Sequence, residues 1–273
     1  MLGTVALLGT LTGILLAVGW FVGGIFGMTL ALILALVLNF VSYWYSDKIV
    51  LKIYKAKPSD DVKLNSIVFR LAKEAKIPAP RVYTVPTKVP NAFATGRNKK
   101  NAVVAVTDGL MSLDDNEMEG VIAHELGHIK NNDMLTSAVA ATVAGAISYL
   151  AHIGYWSMFA GDSRGQSNII GLILMIVFAP LAALLVRMAI SRNREYEADK
   201  TSALLTKNPA GLASALRKIE AIAKNYPLRG SNATSHMWIA NPFKRDSFGN
   251  LFASHPPMEK RIERLEEMNM ELL

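Results

Sequence analysis

His124-Glu125-Leu126-Gly127-His128 places two imidazoles and a carboxylate where one divalent metal ion could use all three. On a helix, residues i and i+4 lie one above the other on the same face, so His124 and His128 can both reach one zinc. Glu125 then projects beside the metal rather than onto it. Such an arrangement suits hydrolysis: the zinc lowers the pKa of a bound water to about 7, and the adjacent carboxylate takes the proton as the water attacks a carbonyl. The bland alternative is a solvated helix face that happens to carry two histidines. The chain has no cysteine, which excludes disulfides and thiolate zinc sites, so any metal must be held by His and carboxylate.

Two histidines leave a zinc short of protein ligands. The metzincin extension fails, because Asn131 stands where glycine is required and no third His follows at the needed spacing. The best source of a further ligand is Ser191-Arg-Asn-Arg-Glu195-Tyr-Glu197-Ala-Asp199. On a helix Glu195 and Asp199 share a face, while Glu197 points about 200° around from Glu195. Glu195 as ligand, with Asp199 accepting the other N–H of a ligand imidazole, is the economical assignment. Spacing alone serves a helix end with i, i+4 ion pairing equally well, so both readings stay open at this point.

These groups need elements to hold them, and the composition says that some of those elements lie in a membrane. Hydrophobic residues make up 51% of the 273, charged residues only 19%, and the mean hydropathy is +0.27, which is not the balance of an ordinary soluble protein. No charged side chain occurs from Met1 to Ser46, enough for two spans of about 20 residues, placed near Leu2 to Gly19 and Ile25 to Tyr45 with a break at Gly19-Trp20-Phe21-Val22-Gly23-Gly24. A second apolar pair, Met134 to Ala160 and Ile169 to Ile190, reads as another hairpin. Lys48, Lys52, Lys55 and Lys57 follow the first pair and Arg187, Arg192 and Arg194 close the second, so the positive-inside rule puts both flanks in the cytoplasm. The net charge of +7 is membrane-topology charge on this reading, since the basic residues form no aromatic-interleaved stretch of the kind that binds nucleic acid.

Between the hairpins the periodicity predicts a helix carrying Leu64, Ile67, Val68, Leu71 and Ala72, with Ser59 as its N-cap. A small sheet should form from Arg81 to Val85, Ala92 to Thr95 and Ala102 to Thr107. A helix opened by an Asp114/Glu117 capping box then carries Met118, Val121, Ile122, Leu126 and Ile129 together with the two histidines. Asp133 is expected to cap the third span. Beyond the second hairpin, helices are expected over Ala210 to Lys224 and, led in by Pro256-Pro257, over Met258 to Met268.

In order along nearly the whole chain, the paired N-terminal spans, Asn91-Ala-Phe-Ala-Thr-Gly96, His124-Glu-Leu-Gly-His128, a second hairpin, Arg194-Glu195-Tyr-Glu-Ala-Asp199 and Ser254-His255-Pro-Pro257 resemble the membrane zinc metalloproteases of the HtpX type, relatives of the CAAX prenyl endopeptidases. The resemblance implies that Glu195 is the third ligand of one zinc per chain, that the catalytic part faces the cytoplasm, and that the substrates are misfolded or damaged membrane proteins. It also implies that Asn91, Ala92, Phe93 and Ala94 form a strand whose edge pairs with an extended substrate, and that His255 donates to the developing oxyanion. His236 matches the family pattern without a definite task, and His152, in an apolar helix, is expected to pack within the bundle.

The expected fold is therefore a mainly α multi-pass membrane protein with four transmembrane helices and a small α+β zincin-like catalytic domain. Residues 1–57 form the first hairpin and a basic linker, 58–133 and 191–273 the two parts of the catalytic domain, and 134–190 the second hairpin. The expected activity is a zinc endopeptidase with His124, His128 and Glu195 as ligands, Glu125 as base, His255 assisting and Asp199 supporting. Its partners are the lipid bilayer and unfolded membrane proteins, not nucleic acid. Its rivals are an intramembrane-cleaving protease, a processing protease of prenyl-endopeptidase type, a transporter, and a scaffold with a structural zinc. Lys130, Asn131, Asn132, Glu117 and Glu119 crowd the motif and argue against the first. The spans carry too few ionisable residues for a transporter, and a structural site has no need of Glu125.

Overall fold

With no charged side chain in its first 46 residues, the chain opens as a helix with no polar face, α1 (Leu2–Ile53). The computed structural model describes residues 2–136, 139, 192–225, 238–239 and 256–272. Helix α1 is broken at Gly23 and Gly24, where Gly24 adopts φ 56°, a conformation open to glycine at little cost. Its two arms fold back on each other, with Asn39 Nδ2 donating to Thr12 Oγ1 at 3.0 Å. Gly23–Tyr45, 23 residues, is the one described segment long and apolar enough to cross a membrane, at about 35 Å of helix. Ile25, Phe26, Leu36 and Phe40 stand exposed along it, as lipid contact would allow. The first arm contains a shorter apolar stretch, Leu8–Ala17. The expected second hairpin lies outside the described residues apart from its first few.

After α1 comes a short strand, β1 (Lys57–Pro58), then α2 (Val62–Glu74). Asp61, not the expected Ser59, caps α2, its Oδ1 accepting from Leu64 N at 2.7 Å. Ser59 lies three residues before the first helical residue, paired to the sheet through its N–H on Val82 O at 2.9 Å, and its Oγ accepts from Asp61 N at 3.3 Å instead of from the first turn of α2. Strands β2 (Arg81–Val85), β3 (Ala92–Thr95) and β4 (Val103–Thr107) complete a four-stranded sheet of order β1-β2-β4-β3. β4 runs parallel to β2 and antiparallel to β3, with Ala94 opposite Val104, so β3 is an edge strand.

A single turn, α3 (Asp108–Met111), leads to α4 (Asp115–Asn131), which opens with the capping box of Asp114 and Glu117. The later helices are α5 (Arg192–Thr206), α6 (Pro209–Asn225) and α7 (Met258–Leu272). Leu64 and Leu71 of α2, Val104 of β4, Val121 and Leu126 of α4, Leu212 and Leu216 of α6 and Leu265 of α7 are buried in one core. The described stretches up to residue 136 and from residue 192 therefore fold as one body. Gly127 sets how closely α5 can approach α4: a Cβ there would stand 3.1 Å from Ala198 Cα and 3.2 Å from Thr201 Cβ. Ser202 Oγ donates to Gly120 O at 2.7 Å and ties the same two helices together.

Candidate metal centre and active site

The close approach at Gly127 brings the buried face of α5 against the histidine face of α4. The Nε2 atoms of His124 and His128 lie 3.2 Å apart. Glu195 Oε2 is 3.7 Å from His124 Nε2, and Glu195 Oε1 is 3.5 Å from His128 Nε2. All three side chains are buried or nearly so. Ligands 2.0–2.1 Å from a tetrahedral zinc stand about 3.3 Å from one another, so these separations are those of a zinc-sized triangle. Two imidazole nitrogens facing each other at 3.2 Å also need a proton or a cation between them, since their lone pairs repel. The donor set fits the metal. Glu197, two residues from Glu195, is exposed and points away from it.

Each of the two histidines is oriented by a carboxylate behind it. His124 Nδ1 lies 2.9 Å from Asp199 Oδ1. His128 Nδ1 lies 3.4 Å from Asp133 Oδ2, whose other oxygen is 3.5 Å from Arg194 Nε. Asp133 reaches His128 because Asn132 ends α4 in the left-handed conformation, φ 61°, and turns the chain back so that Asp133 N donates to His128 O at 3.0 Å. Arg261 of α7, fully buried, donates from Nε and Nη2 to the two oxygens of Asp199 at 2.9 and 2.7 Å.

The electrostatics follow from these contacts. Burial would pull His128 down, but the Asp133 hydrogen bond and the Glu195 and Glu125 carboxylates push it up to about 9. Burial would raise Asp199, but the Arg261 charge and the His124 hydrogen bond hold it at about 2. Burial pushes the Glu125 carboxyl up, against the pull of His128 and His124. A carboxylate with a raised pKa beside a metal centre is the property of a general base or acid.

Glu125 faces the sheet edge, where its Oε2 accepts from Ala94 N at 2.8 Å. Thr107 N donates to Asn91 O at 3.0 Å, and the alternation of an antiparallel ladder then turns the Ala92 and Ala94 main chain away from β4. The four residues expected to meet substrate thus differ in what they offer. Asn91 is engaged internally: its N donates to Thr107 Oγ1 at 2.8 Å, and its Oδ1 accepts from Ile239 N at 2.9 Å. Phe93 turns its ring to Tyr54, centroids 5.2 Å apart. The outward groups are the main chains of Ala92 and Ala94. His255, His236 and His152 lie outside the described residues.

Sequence reasoning missed Arg261 and Asp133 as parts of this centre. A signal for the first was present: Arg261 sits between Met258 and Leu265 in the apolar stripe of α7, and a charge there needs a buried partner. For Asp133 only the left-handed turn at Asn132 reveals the role.

Residues 58–269 match the model of peptidase family M48. The chain is 51% identical over 277 residues to a protease HtpX homolog of Pyrococcus abyssi, covering 98% of this chain and 96% of that protein. It is 49% identical to a protease HtpX homolog of Desulforapulum autotrophicum, covering 96% of this chain and 88% of the relative. The crystal structure of S. mikatae Ste24p aligns with a TM-score of 0.51 at 20% identity over 97% of this chain, a likeness of fold, and the chain spans 65% of that structure's length. With a matching family model over most of its length and half of its residues shared with these proteins, the chain belongs to peptidase family M48, among the HtpX-type proteases, and is a metalloprotease.

Proposed function

We propose that this chain is a zinc endopeptidase of the membrane, with one zinc per chain, that cleaves misfolded or damaged membrane proteins at cytoplasmic segments. The observation that carries the reading is the position of Glu125, which stands next to His124 on α4 and whose carboxylate accepts a hydrogen bond from the main chain of an edge strand beside the His124/His128/Glu195 triangle. A scaffold with a structural metal has no use for such a group. His124, His128 and Glu195 would hold the zinc, which supplies Lewis acidity to water and to the scissile carbonyl.

An extended substrate segment would pair with the outward main chain of Ala92 and Ala94, displacing Glu125 from Ala94 N–H. Glu125 would accept the proton of the attacking water and return it to the leaving amine, so that no net proton is gained. His255 would donate a hydrogen bond to the oxygen that becomes negative. Main-chain pairing reads little of the side-chain sequence but demands a locally unfolded segment.

The membrane assignment rests on the span Gly23–Tyr45 followed by Lys48, Lys52, Lys55 and Lys57. The proposed topology has four spans with both termini and the catalytic body in the cytoplasm. A cysteine introduced at Ser59 should be shielded from an impermeant thiol reagent in intact cells; labelling there would invert the topology. The substrate class is tested with one membrane protein in folded and destabilised versions in the same bilayer. Faster cleavage of the destabilised version is expected, whereas equal rates, or cleavage at one strict sequence, would instead indicate a dedicated processing enzyme.

A further inference from the structure

The guanidinium of Arg261 does more than neutralise an aspartate. Its Nε and Nη2 form a two-pronged fork on Asp199, and Asp199 Oδ1 is the atom that faces His124 Nδ1. Nη2 itself lies 3.4 Å from His124 Nδ1. The remaining nitrogen, Nη1, has no hydrogen bond within the described residues and lies 3.5 Å from Glu195 Oε2. One side chain, entirely shut from solvent, therefore addresses two of the three candidate ligands.

Charge balance points the same way. Glu125, Glu195 and Asp199 put three buried carboxylates around the centre, and among the described residues Arg261 is the one fully buried cation beside them. A divalent metal together with this guanidinium would bring the cluster to neutrality, and without the arginine the loaded site would keep a buried negative charge. Lysine could restore the charge but not the fork. Arg261 arrives on α7, more than 60 residues after Glu195, held in the core by Met258 and Leu265.

Resting on the metal-centre reading above, we propose that Arg261 is a positioning residue of the metalloprotease: through Asp199 it orients His124, and directly it steadies Glu195. The ligand triangle is then complete only when α7 docks, so the site cannot be loaded at full affinity until the end of the chain has folded onto it.

The test uses the full-length protein in lipid nanodiscs, stripped by chelator and retitrated with zinc, and separately with cobalt(II), whose absorption reports ligand geometry. Arg261→Lys should weaken zinc binding about 10- to 100-fold, the effect typical of losing a group that orients a ligand, and should shift the cobalt spectrum. A purely structural role would lower the unfolding temperature of the metal-free protein yet leave affinity and spectrum of the folded fraction unchanged, and that result overturns the proposal. Should Arg261→Lys not fold, the Asp199→Asn/Arg261→Gln double variant removes both buried charges together. It should fold and bind zinc at least tenfold more weakly, and wild-type affinity in it overturns the proposal equally. Wild-type protein that takes up no zinc sinks the underlying metal reading as well, whereas normal wild-type loading with unaltered variants sinks only the role of Arg261.

Discussion

Replacing Glu125 with glutamine should separate chemistry from metal binding and make the protein more stable while it is made inactive. The two side chains have the same shape, and the glutamine carbonyl can accept the Ala94 N–H that now reaches Glu125 Oε2 at 2.8 Å. What is lost is a proton acceptor, worth about 10²- to 10⁴-fold in rate, or about 3–5 kcal/mol of barrier. What is gained follows from burial, which pushes the folded carboxyl above its ordinary value of 4.5. The folded state then binds this proton more tightly than the unfolded state does. The stability linked to that proton is fully present below pH 4.5 and is lost as pH rises through the raised folded value. Glutamine has no proton to lose, so the metal-free variant should be more stable than the wild type at pH 7. The gap should close toward pH 4. Thermal unfolding of chelated protein at several pH values measures the stability, and zinc content and hydrolysis of an unfolded test protein measure the rest. Wild-type turnover would remove Glu125 from the mechanism, and loss of zinc along with activity would make it a ligand instead of a base.

Further expectations concern the metal and the helix packing around it. Glu195→Ala should abolish high-affinity metal binding while Glu197→Ala, on the exposed side of α5, keeps it; elemental analysis showing the reverse would mean the third ligand is misassigned. Because His128 in the metal-free site holds its proton up to about pH 9 and must give it up to ligate, apparent zinc affinity should rise about tenfold per pH unit across the neutral range, and a flat profile in a competition titration would contradict the Asp133 and Glu195 contacts. Gly127→Ala puts a methyl 3.1 Å from Ala198 Cα, overpacking that costs about 1–3 kcal/mol against about 1 kcal/mol of helix propensity gained. The net loss in folding stability should be modest, but α5 must shift by a few tenths of an ångström and zinc affinity should fall. Unchanged affinity would show that the approach of α4 and α5 does not set the ligand geometry.

Local periodicity made much of this chain legible before any tertiary contact was known. That His124 and His128 share a face follows from helix pitch, the Asp114/Glu117 box from the hydrogen-bonding needs of a helix start, and the break at Gly24 from a backbone conformation that glycine reaches most easily. The three longer strands were readable for the same reason, since a two-residue period bounded by turn residues needs no partner to be recognised. The start of α2 was misread because Ser59 and Asp61 are both capping types, and only the pairing of Ser59 with Val82 on the sheet shows that the helix begins after Asp61.

The completed centre belongs to the tertiary structure. Sixty-seven positions separate His128 from Glu195, and spacing along a helix says nothing about which face another helix presents to it. The approach at Gly127 decides that Glu195 and Asp199 meet the histidines while Glu197 stays in water. A left-handed turn at Asn132 sends Asp133 to His128, and docking of α7 brings Arg261 to Asp199. Pairing with β4 aims the Ala94 N–H at Glu125 while Asn91 is spent on Ile239. Apart from the Asp133 turn, each of these is a contact between groups far apart in the chain, made only when packing against a shared core fixes distances to fractions of an ångström.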